Sequence, residues 1–216
     1  MSDLEIKQVG EYDIVAFIQD CYFSTVYELS HPKKCGKYAV KLIKRDKTDL
    51  SLAANEIEIN KEIDSDYIMP IIDVVENISD KYICGIIMVK ATGTDLLEVI
   101  LQKKKLPESL VAQVAYSILK ALQYLHKMGI CHRDIKPDNI FLMDEDLNDP
   151  DIVLGDFGHA THFNDNEKMT NYTVGSPLFV APEIVLCKPC LFSLNNNFGI
   201  SYSYNFIWIF DFEIII

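Results

Sequence analysis

The stretch His132–Asn139, reading His-Arg-Asp-Ile-Lys-Pro-Asp-Asn, constrains this chain more than any other. It crowds charged side chains and one amide between an amphipathic run that closes near Gly129 and a short apolar run, Ile140 to Met143. A polar loop held by two buried elements is where catalytic groups usually sit, because the frame fixes their geometry while the loop admits a substrate. Alone, the stretch reads equally as a solvated turn with a salt bridge. A second stretch, Asp156-Phe157-Gly158, follows the apolar triplet Ile152-Val153-Leu154 and shifts that balance. A strand ending in Asp aims one carboxylate out of a sheet edge. Asp134, Asn139 and Asp156 together supply the hard oxygen ligands and the proton acceptor that a magnesium-dependent phosphoryl transfer requires.

Composition sets the class. The 216 residues are 49% apolar and 24% charged, the profile of one soluble globular domain with a sizeable core rather than a disordered chain or a repeat array. The net charge of −12, with no basic run beyond Lys103-Lys104-Lys105, argues against nucleic acid or an anionic membrane as partner and suits basic protein substrates. Six scattered cysteines without a leader peptide before them point to a reducing, intracellular and cytoplasmic setting. Cys187 and Cys190 have CxxC spacing, but a zinc site needs two further ligands and no second pair follows. The apolar end, Phe206 to Ile216, is too short for a membrane span, which takes ~20 residues.

Periodicity predicts strands over Tyr12–Ile18, Thr25–Leu29 and Tyr38–Ile43, a helix over Ser51–Ile63, and a hairpin of Ile71–Val75 with Tyr82–Lys90. A short helix follows over Asp95–Gln102. The best helix runs Pro107–Lys127: Leu110, Val114, Ile118, Leu122 and Leu125 share one face, Pro and Glu open it, and Lys127 with Gly129 close it. Asp144–Asp151 reads as a solvated acidic turn before the strand that delivers Asp156.

With Tyr38-Ala39-Val40-Lys41 ahead of these two stretches and Gly175-Ser176-Pro177-Leu178-Phe179-Val180-Ala181-Pro182-Glu183 after them, the chain resembles the eukaryotic protein kinases. Lys136, second after the loop Asp, places the resemblance in the serine/threonine branch. It covers roughly residues 10 to 185, with the motifs in the family's order. It implies an α+β, two-lobed kinase-like fold with ATP between the lobes. Asp134 is then the catalytic base, Lys136 steadies the γ-phosphate, and Asn139 and Asp156 hold Mg2+. Lys41, paired by Glu56 (with Glu58 as the alternative), holds the α- and β-phosphates. Val26, Ala39 and Phe141 sandwich the adenine ring, Ile18 opens the ATP-binding phosphate loop, Met88 is the gatekeeper, and the backbone of Val89 to Ala91 faces the adenine edge. The partner is a protein substrate bearing a Ser or Thr acceptor.

Departures from the family pattern carry their own expectations. In the phosphate loop, Ile18 to Val26, the family's glycines are replaced by Gln19, Cys21 and Ser24. A non-glycine residue forced left-handed costs roughly 1 to 2 kcal/mol, which weakens nucleotide binding. Asn60 stands where kinases place an apolar residue, and burying its amide without a partner costs roughly 1 to 3 kcal/mol. Thr170, Tyr172 and Thr173 lie where activation segments are phosphorylated, with Arg133 as a candidate phosphate partner.

The resemblance assigns residues 1–90 to the small lobe and 91–186 to part of the large lobe. Residues 187–216 form a tail of different character, rich in aromatics and without the family's Asp-x-Trp motif, which reads as non-homologous sequence on a truncated kinase. Three readings stay open: an active ATP-dependent protein serine/threonine kinase, an inactive kinase-like binding or scaffold module, and an unstable fragment. The wording of the Gly175–Glu183 stretch is similar to that of the calcium/calmodulin-dependent group. Oligomeric state is open.

Overall fold

A computed structural model of the chain describes residues 6–163, 168–169, 175–176, 179 and 190–191. It divides into two units, Met1–Glu62 with Met69–Thr92, and Ile63–Ile68 with Gly93–Ile216.

The first unit is an antiparallel sheet of β1 (Gln8–Val9), β2 (Tyr12–Asp20), β3 (Ser24–Ser30), β4 (Tyr38–Lys44), β5 (Ile71–Glu76) and β6 (Tyr82–Val89), in the order β1-β2-β3-β4-β6-β5. The helix α1 (Leu50–Glu62) packs on β5 and β6. Alternation along β4 explains the two-sided core. Val40 and Leu42 join Val9, Tyr12, Leu29, Tyr38, Tyr82 and Ile87 in one apolar cluster. Ile43, from the other face, packs with Ala53 of α1, Ile83 and Cys84. Ala39 and Lys41 share that second face by the same alternation.

The second unit contains α2 (Leu96–Lys103), α3 (Glu108–Lys127), β7 (Ile130–Cys131), a 3-10 turn at Pro137–Asn139, β8 (Ile140–Leu142), β9 (Ile152–Leu154) and β10 (Thr161–His162). It also holds β11 (Lys168–Met169) and β12 (Cys190–Leu191), which pair antiparallel. α3 buries Leu110, Val114, Ile118, Ala121, Leu122 and Leu125, the face its periodicity predicts together with Ala121. The helix stops at Met128, and Gly129 follows at φ +71°, the left-handed residue with which helices commonly close. The loop then enters β7, which pairs with β10, while β8 and β9 form an antiparallel hairpin around the acidic turn. Asp95 caps α2 by accepting from the Glu98 amide at 2.9 Å.

The predicted strands and helices occur, with ends displaced by one or two residues. The two-residue strands β1, β7, β10, β11 and β12 were not foreseen, because a pair of residues carries no period.

Candidate active site

In the sheet unit, Lys41 Nζ lies 2.7 Å from Glu56 Oε1, with both side chains largely shielded from water. Glu58, the alternative partner, is exposed. The choice follows from helix phase, since α1 buries Ala53, Glu56, Ile59 and Asn60 and turns residue 58 outward. Asn60 is buried but not orphaned: its Nδ2 donates to the Glu56 carbonyl at 2.8 Å. The penalty for an unpartnered amide therefore does not arise.

Val26 is opposite Lys41 in the β3–β4 register, and Ala39 is opposite Met88 in β4–β6. Ile18 is the residue skipped by the bulge between the Phe17 and Gln19 pairings, and it is exposed. The Val89 amide donates to Pro70 O and the Lys90 amide to Lys37 O, so both are committed to the strand frame before Ala91 is reached. The phosphate-loop hairpin carries none of the expected strain. Among the described residues the non-glycine positions with positive φ are Asn77, Lys104, Arg133 and Asp156, and Gln19, Cys21 and Ser24 are not among them.

In the helical unit, Asp134 is the centre of a ring of donors. Its Oδ1 accepts from the Ser176 amide at 3.0 Å and from Ser176 Oγ at 2.8 Å. Its Oδ2 lies 2.9 Å from Lys136 Nζ, 3.1 Å from Asn139 Nδ2 and 3.6 Å from His159 Nδ1. Burial pushes the Asp134 carboxyl up, but the neighbouring His159, Lys136 and Ser176 outweigh it and hold the group well below the usual carboxylate range. Lys136 also donates to Ser176 Oγ at 2.9 Å.

The backbone under this ring is bent to hold it. Asn139 Nδ2 donates to the Asp134 carbonyl at 2.7 Å, tying both ends of the loop together. His132 is fully buried; it accepts from the Asp134 amide on Nδ1, which leaves Nε2–H to donate to Gly155 O at 3.0 Å. Burial lowers its pKa, in keeping with a neutral ring, and Phe157 packs edge-on against it. The Gly155 amide donates to Asn139 O, so the strand that delivers Asp156 is bonded to the loop that carries Asn139. Asp156 is exposed and left-handed at φ +60°, and its Oδ1 accepts from the Gly158 amide. Arg133, also left-handed at φ +65°, donates from Nε to the His159 carbonyl at 2.6 Å. Non-glycine residues in that region cost roughly 1 to 3 kcal/mol each and persist where the surroundings over-determine them.

The donor set fits magnesium. With the Asn139 nitrogen turned to Asp134, its amide oxygen is the end left for a cation, and the exposed Asp156 carboxylate stands at the end of the strand bonded to it. Magnesium is commonly held by one or two such oxygens together with substrate phosphates.

Phe141 is half-buried in β8, where the loop after Thr92 seats on the hairpin: the Leu142 amide donates to Thr94 O, and Asp95 bridges to Phe141. Ser176, His159 and Gly93 were not read as site residues. Ser176 was legible only as part of the Gly175–Glu183 wording. Thr170, Tyr172 and Thr173 lie outside the described residues, as do Pro177, Leu178 and residues 180–189 and 192–216.

The protein kinase domain family matches residues 13–195. The chain belongs to the protein kinase family. Its mixed helix-and-sheet architecture is the fold of that family. Among its relatives are a serine/threonine-protein kinase H1 homolog of Pinctada fucata, 32% identical over 85% of this chain and 43% of the relative. A probable myosin light chain kinase of Dictyostelium discoideum is 30% identical over 82% of this chain and 55% of its own length. Calcium-dependent protein kinase 4 of Plasmodium falciparum is 32% identical over 73% and 30%. This kinase-family chain thus spans about half the length of these curated relatives, or less. Among its described residues no helix is long and apolar enough to cross a membrane.

Proposed function

We propose that this chain transfers the γ-phosphate of ATP to a serine or threonine hydroxyl of a protein. The observation that carries the proposal is the Asp134 carboxylate held by Lys136, Asn139 and Ser176, in a loop bonded to the strand that delivers Asp156. A carboxylate kept ionised by its neighbours is ready to orient an acceptor hydroxyl and take its proton. Lys136, beside it, neutralises charge on the transferring group. Asn139 and Asp156 would hold Mg2+, whose chemistry is to offset the negative charge of the nucleotide phosphates.

In the sheet unit, Glu56 holds Lys41 extended for the α- and β-phosphates. Val26 and Ala39 suit one face of the adenine ring, and Ile18 opens the phosphate loop. Met88 stands at the gatekeeper position. With the Val89 and Lys90 amides already bonded, the Val89 carbonyl and the Ala91 amide are the hinge groups suited to the adenine edge. Positioning and charge neutralisation supply most of the acceleration, because acid–base assistance contributes typically ~10² to 10⁴-fold.

The test is transfer from MgATP to Ser/Thr peptides by the purified chain and by Asp134→Asn and Asp156→Asn. Both variants should lose ~10²-fold or more in kcat while keeping the thermal transition of the unaltered chain. Near-full activity of Asp156→Asn would overturn the assignment. Nucleotide binding without transfer by the unaltered chain would make it a kinase-like binding module instead.

A further inference from the structure

The tip of the β2–β3 hairpin carries a side-chain cluster that the proposed mechanism does not use. Lys44 Nζ lies 2.8 Å from Asp20 Oδ1 and donates to the Cys21 carbonyl at 2.5 Å. Thr25 Oγ1 donates to the same Asp20 oxygen at 2.7 Å, and Tyr82 OH donates to Thr25 Oγ1 at 3.3 Å. The backbone closes the same turn, with the Cys21 amide bonded to Ser24 O and the Lys44 amide to Phe23 O. Thr25 and Tyr82 are buried, so this chain of contacts runs from the core of the sheet to the hairpin tip.

The cluster sits where the family relies on glycine. A glycine-rich tip is mobile, and ordering it against a phosphate costs conformational entropy at the moment of binding. Here Gln19, Cys21 and Ser24 all avoid positive φ, and side chains from β4 and β6 hold the turn. By strand alternation Lys44 stands on the face opposite Lys41, so it braces the tip from behind. Its ammonium is spent on Asp20 and on the Cys21 carbonyl rather than offered to a ligand.

We infer that Asp20 and Lys44, braced by Thr25 and Tyr82, are positioning residues for the nucleotide phosphates, holding the glycine-free hairpin tip in its binding shape before nucleotide arrives. The inference rests on the nucleotide-binding reading above. It makes side chains do by folding what glycine does by flexibility, and it predicts that this loop gains nothing from having glycine restored.

The experiment uses the whole chain with Asp20→Asn, which keeps an acceptor for Thr25 but removes the charge, with Lys44→Met, which keeps the stem, and with both. Amide exchange at Cys21 and Lys44, MgATP dissociation constants, and KM with kcat are measured. Each single change should speed exchange at both amides and weaken MgATP binding roughly two- to fivefold, the size of a partly exposed ion pair. KM for ATP should rise more than kcat falls, which a general loss of stability would not produce. The double variant should fall short of the sum of the two singles, because each single already removes the ion pair that the two residues share.

Cys21→Gly should not bind MgATP more tightly. Unchanged exchange in both single variants overturns the clamp, as does a tighter Cys21→Gly or a fully additive double variant. Faster exchange in the variants of a chain that binds no MgATP even when unaltered would leave the clamp as structure alone. That outcome overturns both its phosphate role and the nucleotide reading.

Discussion

Ser176 places two donors on one Asp134 carboxylate oxygen. Removing its hydroxyl takes one donor from Asp134 and one acceptor from Lys136, while the amide bond and the Lys136–Asp134 pair stay. Ser176→Ala should therefore lower kcat about tenfold, the worth of one hydrogen bond to a charged group, with little change in KM for ATP; steady-state kinetics checks it. Cys84 illustrates a buried titrating group. Burial, with the Glu56 charge nearby, pushes its thiol up to about 12 from an ordinary 9.0. The folded state thus keeps a proton that the unfolded chain releases. Its contribution to stability is whole below pH 9.0 and declines as pH rises toward about 12. Thiol labelling at pH 8 should mark exposed Cys21 and Cys35 quickly and Cys84 only on unfolding. At this scale the resemblance pointed to Glu56 with Glu58 as the alternative, and the buried face of α1 decides between them. The Ser176 bond was not legible, since its partner lies 42 positions away and no periodicity reports such a pair.

Whole elements follow the same division. α3 was readable down to its buried face, because a period of 3.6 residues expresses burial directly. The hairpin that replaces the glycine-rich loop was read as strained, and its backbone is not, because a tip held by Asp20, Lys44 and Thr25 has no need of left-handed angles. Asn60 was expected to carry the cost of an unpartnered buried amide, yet it is satisfied within its own helix. Gly93 escaped notice and turns out to be constrained by its neighbours. A Cβ there would lie 2.2 Å from Asp144 O and 2.6 Å from Leu142 O, both backbone atoms that cannot swing aside. Gly93→Ala should cost about 1–3 kcal/mol by overpacking the seat of Phe141, seen as a lower urea midpoint at unchanged m-value.

For the molecule as a whole, ligand linkage gives the broadest check. MgATP at ~100 times its dissociation constant should add roughly 2.7 kcal/mol to stability and raise the thermal transition. The rise should vanish in Lys41→Ala, which strips the cation that Glu56 holds. The motif order, the helix and strand types, the core face of α3 and the kinase family were determined by the sequence itself, because each rests on local pattern or on residue types at short spacing. Tertiary structure alone decided that Lys41 and Glu56 come within 2.7 Å, that Ser176 reaches Asp134, and that Asp20 reaches Lys44. Those contacts join residues 15 to 42 positions apart. Only the folded backbone sets such distances, since hydrogen bonding and charge pairing act over a few ångströms of space whatever the separation along the chain.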